Sequence, residues 1–402
     1  MNEPPTRKLS GVNVAVTVLA TLVIAMIAYS ATTHAVHPVA VALPTASPTP
    51  SMVPASPPVE PPPTPPMAAP RLFIWGFDLI NATTGWILLS NCTQPTSGRC
   101  QYVVADTADG GQTWSAPIQV GPSYDPADGG APRTIRFINA ADGFVYGAGG
   151  AFVSHDGGRT WSPLDLPATF VNAISGHGQT VWATTYPCPK GILCGYEVRS
   201  SHDGGSTWSA PRRLPVGFSP SDVVSFGPSG ALIWGPSSGE LVMTTDGGIT
   251  WRPIKGSCSD TTFRALVTSS DGHEIWELCL GIPGNASASK VLSLSEDGGK
   301  TWSQKASSHS SSSLPSLGTE VSLISPRPHV VLLGTDQTPL FLTRNAAASW
   351  IQVLTSPIGG SLSIRFAGAN DGWAIGAGQT TIWSTRDGGE NWTPVRVYNP
   401  AP

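Results

Sequence analysis

One eight-residue string recurs along the chain and limits its fold more than any other feature. It reads Ser/Thr-x-Asp-x-Gly-x-Thr-Trp, as TADGGQTW (107–114), SHDGGRTW (154–161), SHDGGSTW (201–208), TTDGGITW (244–251) and SEDGGKTW (295–302). A sixth copy, TRNAAASW (343–350), has lost the Asp and both glycines, and a seventh, TRDGGENW (385–392), carries Asn391 for Thr. The repeated tryptophans are Trp114, Trp161, Trp208, Trp251, Trp302, Trp350 and Trp392, separated by 47, 47, 43, 51, 48 and 42 residues. The acidic positions are Asp109, Asp156, Asp203, Asp246, Asp297 and Asp387. A period in the forties with one motif per unit signals radial repetition of small sheets.

The residues between the strings agree. In the second unit the runs TIRFINA, DGFVYGAG and AFVS precede the string and SPLDL follows it, and the other units repeat that order. Four strands per unit, with 71–402 shared among seven units of about 47 residues, predict an all-β chain without helix. The fold expected is a seven-bladed β-propeller of four-stranded antiparallel blades. Gly 44 and Pro 39 among 402 residues supply its turns. The string itself reads as scaffold. Asp and Ser/Thr side chains bond the amides of a turn, glycine supplies positive φ, and Trp anchors the outer strand. Seven catalytic copies would make no chemical sense, and TRNAAASW persists without its carboxylate.

Upstream the composition changes twice. Residues 1–8 end in Arg7 and Lys8, and 9–31 then run without an ionisable side chain except Tyr29. That length suits a transmembrane signal anchor with the N-terminus in the cytoplasm. A cleaved signal peptide, with Ala28-Tyr29-Ser30 near the cut, is the alternative. Residues 32–70 are rich in Pro, Ala, Ser and Thr and form a disordered linker with polyproline II character. The propeller of 71–402 is thus expected outside the cytoplasm, extracellular or periplasmic, held at the membrane or secreted if the N-terminal segment is cleaved.

Net charge is −4 with no basic stripe, so nucleic-acid binding has no support. No P-loop, HExxH or post-strand GxGxxG is present, and no cofactor or metal is expected. Six cysteines fall into three local pairs, Cys92 with Cys100, Cys188 with Cys194 and Cys258 with Cys279, which suits disulfides in an oxidising compartment. Arginines recur on one predicted strand. Arg136 and Arg365 lie seven residues before Gly143 and Gly372, and Arg264 lies eight before Gly272. Equivalent positions on three blades suit convergence on one face or on the central channel, so these are the candidate binding residues. No catalytic residue is assigned.

The string resembles the Asp-box (BNR) repeat, which implies a turn between the third and fourth strands of each blade. Repeats such as SIRFAGANDGWAIGAGQTTIWSTRDGGENWTPV (363–395) and 136–161 look like the photosystem II stability/assembly factor-like family. That resemblance implies a seven-bladed, extracytoplasmic, non-enzymatic module that binds partner polypeptides. The likeness to exo-α-sialidases is more distant. Those enzymes need an arginine triad, a Tyr–Glu nucleophile pair and an Arg-Ile-Pro motif, whereas Arg133 is followed by Thr134. The expectation is a monomeric propeller that binds a protein or glycan without catalysis, with a sialidase-type glycoside hydrolase as the alternative.

Overall fold

The structure is a computed structural model that describes residues 72–397. Excepted are 93–98, 125–131, 148–149, 167–169, 188–194, 215–221, 228, 236–239, 259–262, 270–271, 282–288, 309–313, 315–317, 319–320, 336–337, 355–361 and 377–380. The expected anchor at 9–31 and the linker at 32–70 lie outside the described residues. So does the disulfide expected between Cys188 and Cys194, since both cysteines fall within 188–194. Among the described residues no helix occurs, and none is long and apolar enough to cross a membrane.

Twenty-eight strands form seven antiparallel sheets of four, each in simple up-and-down order. The innermost strands are Leu72–Leu79, Pro132–Phe137, Phe170–His177, Asp222–Phe226, Phe263–Thr268, Val321–Arg327 and Leu362–Ala367. They follow one another around a central channel. Alternation along each strand sends apolar side chains to both sheet faces, so each seam between blades holds its own core. Between blades 1 and 2, for example, Trp86, Leu88, Tyr102 and Val104 pack on Ile135, Phe137, Val145 and Phe152.

Blade 7 meets blade 1 in the same manner. Trp373, Ile375, Ile382 and Val397 pack on Phe77, Leu79, Ile87, Leu89 and Val103. Each blade contributes all four of its own strands, so side-chain packing closes the ring without strand exchange.

Each Asp-box is a small hydrogen-bond network. In blade 1 the Asp109 carboxylate accepts from the Thr113 amide (2.9 Å) and hydroxyl (2.6 Å), while Thr107 Oγ1 accepts from the Gly111 amide (2.9 Å). These bonds hold the exposed carboxyl at about 2, well below the usual aspartate value. Asp203, Asp246 and Asp297 are likewise held at about 2, chiefly by Thr207, Thr250 and Thr301. At Asp156 and Asp387 burial opposes the shift but is outweighed by bonds from Thr160 and Asn391, again giving about 2. Asn391 substitutes for threonine by donating Nδ2 to Asp387 Oδ2 (2.7 Å).

The two glycines have separate reasons. Both take positive φ in every intact box. The second also lies against the preceding blade: at Gly158 a Cβ would sit 3.4 Å from Trp86 Nε1, and at Gly205 2.7 Å from Phe144 Cε1. Trp86 Nε1 in turn donates to Gly157 O at 2.9 Å. The boxes therefore lock neighbouring blades as well as turning the chain.

The degenerate copy in blade 6 keeps this geometry. Asn345 Oδ1 accepts from the Ser349 amide (3.0 Å) and Nδ2 donates to Ser349 Oγ (2.9 Å), so an amide replaces the carboxylate with one bond reversed. Ala346 and Ala347 hold φ of 53° and 68° where the other boxes have glycine. Ala347 is buried in the core between blades 5 and 6, which also holds Ala306 of the outer strand of blade 5.

Candidate functional site

A charged cluster lies in the channel, and strand register places it. Asp78 pairs with Trp86 in blade 1, Arg136 with Phe144 in blade 2 and Arg365 with Trp373 in blade 7. Each lies immediately opposite the residue after Gly85, Gly143 or Gly372. Blades 7, 1 and 2 are consecutive, so one level of the channel reads cation, anion, cation. Farther round at this level, Ser175 and Ser225 bond to each other through their hydroxyls at 2.9 Å.

Asp78 Oδ1 lies 3.9 Å from Arg136 Nη1, and Asp78 Oδ2 accepts from the Phe137 amide at 2.8 Å. Burial pushes the Asp78 carboxyl up, against the pull of Arg136 and Arg365. Burial also works against the Arg136 charge, yet Asp78, Tyr146 and Asp222 together raise its pKa. Arg365 is less well compensated. Burial, and then the neighbouring Arg136, bring it down to about 10. Its Nη1 donates to the Ile364 carbonyl at 3.1 Å. Tyr146 has a hydroxyl 3.5 Å from the Ile174 carbonyl, and burial pushes its phenol up despite Arg136. A cavity of about 510 Å³ opens at this cluster, bordered by Arg136, His177, Asp222, Arg264 and Arg365.

Arg264 borders the cavity at a different level. It pairs with Cys279, three residues up-strand of the Val267–Trp276 pair that corresponds to Arg365–Trp373. Its guanidinium is 1% exposed and forms an ion pair with the buried Glu277, Nε to Oε1 2.8 Å. Glu277 Oε2 also accepts from the Ser257 amide and hydroxyl. The next residue, Cys258, forms a disulfide with Cys279. Cys100 is also disulfide-bonded, and strand register sets Cys92 opposite it. The remaining expected pair, Cys188 and Cys194, lies outside the described residues.

Sequence reasoning missed Asp78, Tyr146 and Asp222. For Asp78 the signal was present: it lies seven residues before Gly85, the spacing that selects Arg136 and Arg365. Among the described residues bordering the cavity, no glutamate accompanies a tyrosine.

Seven self-contained blades locked by Asp-boxes around an arginine–aspartate level define an Asp-box β-propeller, and the chain is a member of that class. Residues 152–163 match the BNR/Asp-box repeat model. The chain is similar to a sialidase of Bacteroides fragilis (strain YCH46), 24% identical over 251 residues, covering 50% of this chain and 45% of that protein. The chain thus spans under half the length of this relative. In fold it is similar to YCF48 bound to D1 peptide, with TM-score 0.53 and 16% identity over 79% of this chain and 94% of that one. It is also similar to an ancestral GH74 enzyme, with TM-score 0.59 and 14% identity over 81% of this chain and 46% of that one.

Proposed function

We propose that the propeller is a non-catalytic binding module whose channel takes a carboxylate-bearing segment of a partner polypeptide. The observation that carries this reading is the pair Arg136 and Arg365 in the 510 Å³ cavity. Asp78 compensates Arg136 more fully than Arg365, whose charge is disfavoured by burial and by its cationic neighbour. A ligand carboxylate placed against Arg365 relieves that imbalance through a charge-assisted, two-pronged bond. YCF48, bound to a peptide, shares the fold and supports a polypeptide rather than a small substrate.

Hydrolysis is less well supported. A sialidase-type mechanism needs an activated tyrosine, and burial moves the Tyr146 phenol the wrong way. Arg264, needed for a triad, is committed to Glu277. We also take the propeller to work outside the cytoplasm as a monomer tethered through 9–31, a reading checked by protease shaving of intact cells.

The test is fluorescence anisotropy with labelled peptides carrying free or amidated C-termini and acidic or neutral side chains. Binding that needs a carboxylate and weakens at least tenfold in Arg365→Ala is expected. Cleavage of a fluorogenic sialoside that is lost in Arg136→Ala would replace this reading with the enzymatic one.

A further inference from the structure

Three consecutive blades share a defect at one position of the innermost strand. In blade 1 the register skips from Ile74 to Gly76, leaving Trp75 as the extra residue. In blade 2 it skips from Pro132 to Thr134, leaving Arg133. In blade 3 Thr184 pairs with Ala173 and Thr185 with Val171, leaving Asn172. Each bulged residue lies three before the channel-level residue of its strand, Asp78, Arg136 or Ser175. In blades 4 and 5 the registers through Asp222 and Arg264 run without a shift. A bulge re-aims a side chain and interrupts the ladder. A threefold repetition at one level, confined to adjacent blades, builds a feature and not a flaw.

The first two bulges aim their residues at each other. The Arg133 guanidinium carbon stands 4.9 Å from the Trp75 ring centroid, a cation–π stack across the seam. Behind them the buried Tyr102 ring lies 6.4 Å from Trp75 and 5.8 Å from Tyr124, which fixes the indole from below. Trp75 is nevertheless 40% exposed, and Phe73 on the same strand 41%. Among the described residues no carboxylate pairs with Arg133. The strand ends that carry these residues lie opposite the Asp-boxes, at the other face of the ring from the boxes.

We propose that Trp75 and Arg133 form a binding site for an anionic saccharide, a pyranose bearing a carboxylate or sulfate group. An exposed indole offers a flat apolar surface to the C–H face of a sugar ring, and a stacked guanidinium presents its fork at a fixed angle to the anion. A polypeptide strand is disfavoured here because strand addition needs a regular row of backbone donors and acceptors, which the bulges break. The site and its ligand class are distinct from the Arg136/Arg365 cluster.

The experiment is calorimetry of the full chain with hexagalacturonate, a sulfated carrageenan hexamer, neutral cellohexaose and hexaglutamate. Binding of one or both anionic sugars is expected, with cellohexaose at least tenfold weaker; the two anionic arms tell carboxylate from sulfate. Trp75→Ala and Arg133→Ala should each weaken that binding at least tenfold. Trp75→Phe should retain part of it, and Arg344→Ala on the Asp-box side should leave it unchanged. Near-ultraviolet circular dichroism confirms that each variant is folded. Binding of neither anionic sugar, undiminished binding in Trp75→Ala, or hexaglutamate binding as tightly as the sugars would overturn the proposal. Loss in Arg365→Ala with none in Trp75→Ala would also overturn it, by moving the sugar into the channel.

Discussion

Replacing Gly298 by alanine tests whether the first box glycine is required for its backbone angle alone. Gly298 has φ of 72°, and a Cβ there would meet nothing closer than Met243 Cε at 3.7 Å. Space is therefore available, and the left-handed conformation is the whole penalty, about 1–2 kcal/mol. Alanine also stiffens the unfolded chain, which returns about 0.4–1 kcal/mol. The net loss expected is about 0.8 kcal/mol, within a range of about 0–1.6 kcal/mol. The neighbouring Gly299→Ala carries the same angular term plus a contact, because its Cβ would lie 2.6 Å from Ile254 Cδ1 in blade 4. That atom is the free end of a partly buried side chain, so turning it aside adds only about 0.5–1.5 kcal/mol. Urea midpoints followed by tryptophan fluorescence measure both, with the fitted slope checked for constancy. The reverse exchange, Ala346→Gly, should stabilise by no more than about 0.5 kcal/mol, since relief of the angle is offset by lost entropy and a partly buried methyl. The reasoning fails if Gly298→Ala is stabilising, or if Gly299→Ala costs no more than its neighbour.

Three further outcomes follow from the same structure. The six box aspartates titrate near 2 in the folded chain, below the ordinary value of 3.8, so they stabilise it fully above about pH 4 and that contribution is lost as pH falls toward 2; a pH series of urea midpoints should decline across that window. Trp86→Ala should destabilise by about 3–5 kcal/mol, because Trp86 fills the blade 1–2 core, stacks on Phe137 at 3.6 Å and bonds Gly157 O; thermal melts of the variant check this. Glu277→Leu should cost about 3–5 kcal/mol by leaving Arg264 charged and buried without its partner, while adding Arg264→Met recovers most of it, as measured by a double-mutant cycle over those two changes.

Blade number, strand count and turn chemistry were legible in the sequence because the Asp-box combines a backbone requirement with an anchor residue, and both must recur at each turn. Even TRNAAASW could be counted, since Ser349 and Trp350 keep their places, and Asn345 keeps the bonds of the turn. Convergence was less legible. The glycine ruler works where glycine opens the second strand opposite the aromatic residue, as Gly143 does with Phe137. Gly272 is instead a turn residue, φ 73°, ahead of the strand Ile275–Leu280, so the same ruler set Arg264 out of level. The bulges left no periodic trace at all. An extra residue changes pairing, and pairing is a property of two strands, not of one.

Closure by packing alone has a consequence for where the chain can begin. In a propeller that completes one sheet with strands from both ends, the termini are fixed to that sheet, and cutting elsewhere breaks it. Here every blade is topologically whole, and the blade 7–1 seam is built like the other six. Joining the ends of the ring and opening it between any two blades preserves every sheet and every interface, so the order of blades around the circle, not the site of the first residue, is what the fold encodes.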